Sequence, residues 1–352
     1  MKKTIFIFLT LYCFLAIVIF AIYFFSKKYW LTHMFLILHG AENLKDSFPL
    51  NTTGHSQVTE TSEVWVNKSA GEESLGVCPE TPPNLLGPFQ VELETVRTLE
   101  DVRKQVGPLL QVGGRYKPPD CISKQKVAVI IPFRNRHENL THWLYYLHPF
   151  LQRQQLDYGV YVINQDGDGT FNRAKLMNIG YAEALKEDDY NCFLFSDVDL
   201  VPLDDRNLYR CFSNPRHLSV AVDKFDYKLP YEKIFGGVTA LTKEQFLTVN
   251  GFSNTFWGWG GEDDDLYNRV MLRIKAISRP YAVIGRYKMI KHERDPHNDQ
   301  NLNNVKKLKE TTNTLDQDGL SSLNYTVIDI TKNMLFTFIT VDVHVPMGLT
   351  KK

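Results

Sequence analysis

The alternation of short β-branched runs with longer amphipathic stretches between Lys126 and Phe195 most narrows the fold. Lys126-Val127-Ala128-Val129-Ile130-Ile131-Pro132 is a continuous apolar run of strand length, and Gly159–Asn164 and Cys192–Phe195 repeat the pattern. Between them, His137–Gln152 carries apolar residues on one face at helical spacing, and Asn172–Lys186 reads as a second helix. This order implies a largely parallel sheet with right-handed crossovers, an α/β fold. Later runs near Phe235–Leu241, Tyr325–Ile330 and Phe336–Val343 have no clear helices between them, which predicts a mixed sheet. Ligands of such sheets bind beyond the carboxyl ends of the strands. Pro132-Phe133-Arg134-Asn135-Arg136 and Asp197-Val198-Asp199 fall at such ends.

Ahead of this body, Thr4–Phe25 contains no charge, Gly or Pro. A run of about 20 apolar residues is long enough to cross a bilayer as a helix. No small-residue cleavage site follows it, so it reads as a retained signal-anchor. Lys2 and Lys3 before it are balanced by Lys27 and Lys28 after it, and downstream chemistry sets the orientation. N-x-S/T sites begin at Asn51, Asn67, Asn139 and Asn324, and four of the five cysteines (78, 121, 192 and 211) lie beyond the run, compatible with two disulfides in an oxidising compartment. The expected organisation is type II: residues 1–3 a cytoplasmic tail, 4–25 the membrane span, 26–77 a lumenal stem, and 78–352 the folded body. The polar stretch from Asn51 to Gly76 cannot bury enough surface to offset its ordering entropy. Lys plus Arg and Asp plus Glu are each 40, a balance that argues against a nucleic-acid partner. No C-x-x-C pair is present to make a thiolate zinc or redox centre.

Asp197 and Asp199 sit on the same side of an extended chain, because side chains alternate along it. Such a pair suits a hard divalent cation that bridges phosphate oxygens. Met289-Ile290-Lys291-His292 adds a thioether and an imidazole, donors that tilt such a site from Mg towards Mn. Asp166-Gly167-Asp168-Gly169 imitates a calcium loop, but Met177 stands where the twelfth-position acid would be, so it reads as a turn. The segment Trp257-Gly258-Trp259-Gly260-Gly261-Glu262-Asp263-Asp264-Asp265 places four carboxylates between a glycine–tryptophan hinge and a helix read as Leu266–Arg273. Tryptophans on glycine hinges suit a closing lid that stacks on a sugar face, and the carboxylates supply a base and hydroxyl acceptors.

These segments, with Phe171-Asn172-Arg173-Ala174-Lys175, Phe195–Pro202, Phe235-Gly236-Gly237-Val238 and Asn250-Gly251-Phe252, resemble the β-1,4-galactosyltransferase family over about residues 78–350. The body looks most like the vertebrate members that make N-acetyllactosamine. The resemblance implies a GT-A glycosyltransferase fold, a Golgi membrane location, and Mn-dependent, inverting transfer of galactose from UDP-galactose to O4 of terminal N-acetylglucosamine on glycans. By position, it implies Asp199, Met289 and His292 as Mn2+ ligands. Pro132, Phe133, Arg134 and Arg136 would hold the uridine end with Phe171, Arg173 and Val198, and Lys224 would approach the phosphates. Asp197, Gly237, Trp259 and Glu262 would contact the donor sugar. Asp263 would be the base on the acceptor, beside Asp264 and Tyr231, and the disulfides would be Cys78–Cys121 and Cys192–Cys211. One base with no second, nucleophilic carboxylate fits inversion, and a lid carrying Trp259 would keep water from the donor.

Two positions depart from the family pattern. Ile234 stands where the vertebrate members carry a Tyr that crowds the donor's C2 substituent, which opens the alternative of UDP-N-acetylgalactosamine as donor. Asn304-Val305 replaces an Arg-Phe pair that helps line the acceptor's N-acetyl pocket. A non-catalytic lumenal lectin is the remote alternative, disfavoured because Asp199, His292, Asp263 and the tryptophan hinge are all present.

Overall fold

The computed structural model describes residues 75–293 and 295–349. The apolar run 4–25, nearly all of the stem, and the sequons at Asn51 and Asn67 lie outside the described residues; within them, no helix is long and apolar enough to cross a membrane.

After helix α1 (Leu99–Val106), the chain forms β1 (Lys126–Phe133), α2 (His137–Arg153), β2 (Asp157–Gln165), α3 (Arg173–Glu187) and β3 (Cys192–Ser196). Then follow β4 (Leu200–Pro202), β5 (Arg216–His217), β6 (Ala221–Val222), β7 (Val238–Thr242), α4 (Lys243–Thr248), α5 (Glu262–Arg273) and β8 (Arg286–Met289). The short helices α6 (Asn303–Lys307) and α7 (Thr311–Thr314) precede β9 (Thr326–Lys332) and β10 (Thr337–Asp342). The main sheet runs β5-β7-β3-β1-β2-β10-β9, and a second sheet runs β4-β8-β6. Strands β3, β1, β2 and β10 are parallel, whereas β5, β7 and β9 pair antiparallel, so the sheet is mixed as expected.

The continuous apolar character of β1 follows from burial on both faces. Val127, Val129, Ile131 and Phe133 enter one core with α1 and α2, and Ala128 and Ile130 enter the other with α3 and α5. Glycine at position 180 lets α3 lie close on the sheet, since a Cβ there would overlap Ile130. Cys78–Cys121 and Cys192–Cys211 are bonded, and backbone hydrogen bonds of the body reach back to Gly76.

Three expectations are corrected. The last helix of the acidic segment starts at Glu262, not Leu266, so all four carboxylates occupy its first turn. The positive end of the helix dipole favours them there, and Gly261 (φ 94°) breaks the chain just before. Asn139 is only 6 % exposed within α2, packed out of reach of a glycan-adding enzyme in the folded chain; Asn324 is exposed. Of the hinge tryptophans only Trp259 is exposed, at 53 %, while Trp257 is buried in the core beside α3.

Candidate active site

Strands β2 and β3 flank β1, and the loops leaving the three carboxyl ends open a crevice there. After β2, Gln165 accepts the Asn172 N–H (2.8 Å), and Asn172 caps α3 by accepting from the Lys175 N–H. Those two bonds fix Arg173 at the first position of α3. Its Nε donates to Asp197 Oδ1 (2.6 Å) and its Nη1 to Asp263 Oδ1 (2.7 Å), with Glu262 Oε1 3.6 Å away. One guanidinium thus joins Asp197, after β3, to the first turn of α5.

Burial pushes the Asp197 carboxyl up to about 7, against the pull of Arg173, with the nearby Asp199 and Asp263 charges adding to the rise. Burial and Asp263 likewise push Glu262 up to about 7, while Arg173 opposes. For Arg173, burial works against the charge, but Asp197, Asp263 and Glu262 outweigh it and hold the guanidinium charged. Glu262 Oε2 is buried with no partner, an acceptor aligned with the clamp and free for a hydroxyl. The rest of α5 is anchored below: Asp265 is gripped by Arg269 Nε (2.6 Å) and Thr311 Oγ1 (2.6 Å).

Gly236 and Gly237 form the facing wall. A Cβ on Gly236 would overlap the Asp263 carboxylate, and one on Gly237 (φ 81°) would meet Ser219 Oγ at 2.6 Å. The Gly237 carbonyl accepts the Asp197 N–H (3.0 Å), and Ile234, half-buried, stands two residues before Gly236. Tyr231 donates to Asp264 Oδ1 (2.9 Å) at the outer rim. Trp259 is fixed by main-chain bonds to Asp299 and Asn301, and Asn304 donates to the Gly260 carbonyl (2.7 Å). Asn304 is therefore a tie for the glycine hinge, with its side chain buried.

At the nucleotide end, Arg134 donates to Asp295 Oδ2 (2.9 Å) and the Gly169 carbonyl (2.6 Å) and lies over the Phe171 ring at 4.9 Å. Its Nη2 is buried without a partner, a donor left for an acceptor such as a base carbonyl. Arg136 donates to the Glu293 carbonyl (2.7 Å). Pro132 and Val198 are buried, and Phe133, 1 % exposed, packs on Phe338 and His137. The Phe133 ring belongs to the core, so what Phe133 can offer the uridine end is main chain.

Asp199 and His292 meet at 3.1 Å, and the Asp199 carbonyl accepts the Ile290 N–H (2.7 Å). Met289 pairs with Leu200 across β8 and β4, and its N–H bonds Asp223, next to the exposed Lys224. Among the described residues no three His, Cys, Asp or Glu side chains form a metal cluster. The donor chemistry nonetheless fits a transition metal: His292 Nδ1 donates to the Glu293 carbonyl (2.8 Å), which turns the Nε2 edge to Asp199, and that contact, which raises the imidazole pKa, is the one a metal ion held by both groups would replace. A surface cavity of about 200 Å³, lined by Cys78, Gln125, Gln155 and Arg210, lies at the other end of the sheet and gathers none of these groups.

Residues 78–212 match the family model of the N-terminal region of glycosyl transferase group 7, and residues 216–293 that of the N-terminal domain of galactosyltransferase. Fold and site together define a glycosyltransferase of GT-A-like α/β architecture. The chain is 55 % identical over 301 residues to β-1,4-galactosyltransferase 1 of Mus musculus, covering 86 % of this chain and 75 % of that one. It is 56 % identical over 272 residues to β-1,4-galactosyltransferase 2 of Cricetulus griseus, covering 77 % and 73 %. A crystal structure of a mutant Drosophila β-1,4-galactosyltransferase 7 in complex with manganese, UDP-Gal and xylobiose superimposes with a TM-score of 0.54 at 28 % identity, over 64 % of this chain and 96 % of that one. The chain belongs to the β-1,4-galactosyltransferase family.

Sequence reasoning missed Asp295, Asp223 and the Arg279–His217 pair described below. Each acts through a partner more than 60 residues away, and no local pattern announces such a pairing.

Proposed function

We propose that the chain transfers galactose from UDP-galactose to O4 of a terminal N-acetylglucosamine, with inversion and with Mn2+ as cofactor. The observation that carries this reading is the Arg173 clamp, which holds Asp197, after β3, against the first turn of α5. Arg134, with its free Nη2, receives the uridine together with Phe171 and Arg136, and Lys224 adds positive charge toward the phosphates. Asp199, Met289 and His292 would hold the metal, which when bound supplies charge stabilisation for the departing diphosphate. Asp263 gives Oδ1 to Arg173 and keeps Oδ2 to take the proton from the acceptor O4. The unpartnered Glu262 Oε2 accepts a hydroxyl of the donor sugar, Trp259 covers its face and excludes water, and Tyr231 with Asp264 receives the acceptor.

We also propose a Golgi membrane location with a lumenal body. The apolar run 4–25, the exposed Asn324 sequon and two disulfides support it. A second donor, UDP-N-acetylgalactosamine, is favoured by one observation: Ile234, half-buried and without the bulk of an aromatic ring, stands two residues before the Gly236-Gly237 wall. The test is sugar transfer to an N-acetylglucosamine acceptor from each donor, with Mn2+, Mg2+ or chelator. Rapid transfer of galactose with Mn2+, and little with Mg2+ or chelator, is expected. Failure of both donors with Mn2+ would refute the reading.

A further inference from the structure

The segment Tyr231–Gly237 carries the Tyr231, Ile234 and Gly236 features of the site, yet it belongs to neither sheet. Its alternate carbonyls, at 232, 234 and 236, are instead received by side chains. Arg279 Nη2 donates to the Glu232 carbonyl (2.7 Å) and the Ile234 carbonyl (2.8 Å). His217 Nε2 and Ser219 Oγ each donate to the Gly236 carbonyl (3.0 Å both). The set is itself connected: Arg279 Nε donates to His217 Nδ1 (3.2 Å), and Ser219 Oγ accepts the Val238 N–H (2.9 Å). Those two bonds to His217 fix its neutral tautomer, and burial, reinforced by the Arg279 charge, keeps the ring neutral.

The three residues do the work that a neighbouring β-strand would do for an edge. Their own positions are secured by main chain: His217 N–H bonds the Ser278 carbonyl (3.0 Å), and Ser278 N–H bonds the Pro215 carbonyl (2.8 Å). The strap they hold presses Gly236 so closely on Asp263 that no side chain fits between. A displacement of the strap therefore displaces the carboxylate or opens space beside it.

We propose that Arg279, His217 and Ser219 are positioning residues that seat the Tyr231–Gly237 strap against Asp263 and so set both turnover and donor choice. The inference rests on the reading of Asp263 as the base and of Ile234 as part of the donor wall. A shift of about 1 Å at a reacting group can cost roughly 100-fold in rate. Donor choice follows because the Ile234 N–H bonds back to the Tyr231 carbonyl within the strap, so that its main-chain tie to the rest of the body is the carbonyl received by Arg279.

The full-length chain serves for the test, as Arg279→Lys and Ser219→Ala. Lysine keeps the charge but cannot donate from a planar fork to two carbonyls and an imidazole together. Measured are kcat and KM for UDP-galactose and UDP-N-acetylgalactosamine, UDP affinity by calorimetry, and thermal stability. We expect kcat for Arg279→Lys to fall about 10- to 100-fold, UDP affinity to stay within about twofold, and the ratio of rates on the two donors to change at least about threefold. Ser219→Ala, which removes one of two bonds to Gly236, should give a smaller change in the same direction, and it carries the test if the lysine variant does not fold. An unchanged kcat would overturn the proposal, as would a loss equal for both donors that tracks the folded fraction. No transfer by the unmodified chain would instead refute the transferase reading. The strap would then stand or fall on whether Arg279→Lys changes the relative binding of the two nucleotide sugars.

Discussion

Burial and the Asp263 charge push the Glu262 carboxyl up to about 7 from an ordinary 4.5, against the pull of Arg173. Between those values the folded chain holds a proton that the unfolded chain has released. The stabilisation is complete below 4.5 and is lost as pH rises through 7. At about 1.4 kcal/mol for each tenfold change in proton affinity, the full loss is about 3 kcal/mol. Relaxation of the clamp lowers the realised figure to about 1–3 kcal/mol. Glu262→Gln keeps the shape and removes the titration. Urea unfolding of the metal-free chain and of the variant should therefore agree near pH 4, with the variant more stable by about 1–3 kcal/mol at pH 8. The variant should also lose most transfer, since the acceptor oxygen offered to the donor sugar is replaced or halved. A gap independent of pH, or a variant less stable at pH 8, would refute the electrostatic account of this cluster.

Ile234→Tyr should lower the ratio of UDP-N-acetylgalactosamine to UDP-galactose rates by about 10- to 200-fold, measured with both donors on one acceptor; no fall would mean that Ile234 does not border the C2 group. Gly236→Ala should abolish transfer while leaving the fold intact by circular dichroism, because its methyl overlaps the Asp263 carboxylate. Met289→His should narrow the difference between Mn2+- and Mg2+-supported rates, and equal rates already in the unmodified chain would remove Met289 from the metal site.

The parallel half of the sheet was legible because β1, β2 and β3 are buried on both faces and so lack polar interruptions. The same reading located the loops after β1 and β3, and with them Arg134, Asp197 and Asp199. It failed where tertiary packing decides. The buried state of Asn139 depends on how α2 lies against the sheet, which an N-x-T pattern does not encode. The start of α5 lies four residues ahead of the sequence reading because the helix dipole readily explains one or two acids at a helix start, whereas here all four enter the first turn directly after the Gly261 break. Arg173 reached Asp263 across 90 residues and Arg134 reached Asp295 across 161, pairings that composition and periodicity cannot see. The two disulfide partners followed from the family resemblance, since four cysteines alone allow three pairings.

The central claim is that Asp263 is the base in a site whose donor end is built by other residues. Asp263→Asn tests it most directly, with turnover from UDP-galactose and UDP affinity in the presence of Mn2+ measured on the same preparation. The amide keeps the shape beside Gly236 but cannot take the O4 proton. The account predicts a fall in kcat of about 100- to 10,000-fold with UDP affinity nearly unchanged. Retention of more than about a tenth of the rate, or loss of UDP binding in parallel with turnover, would contradict it.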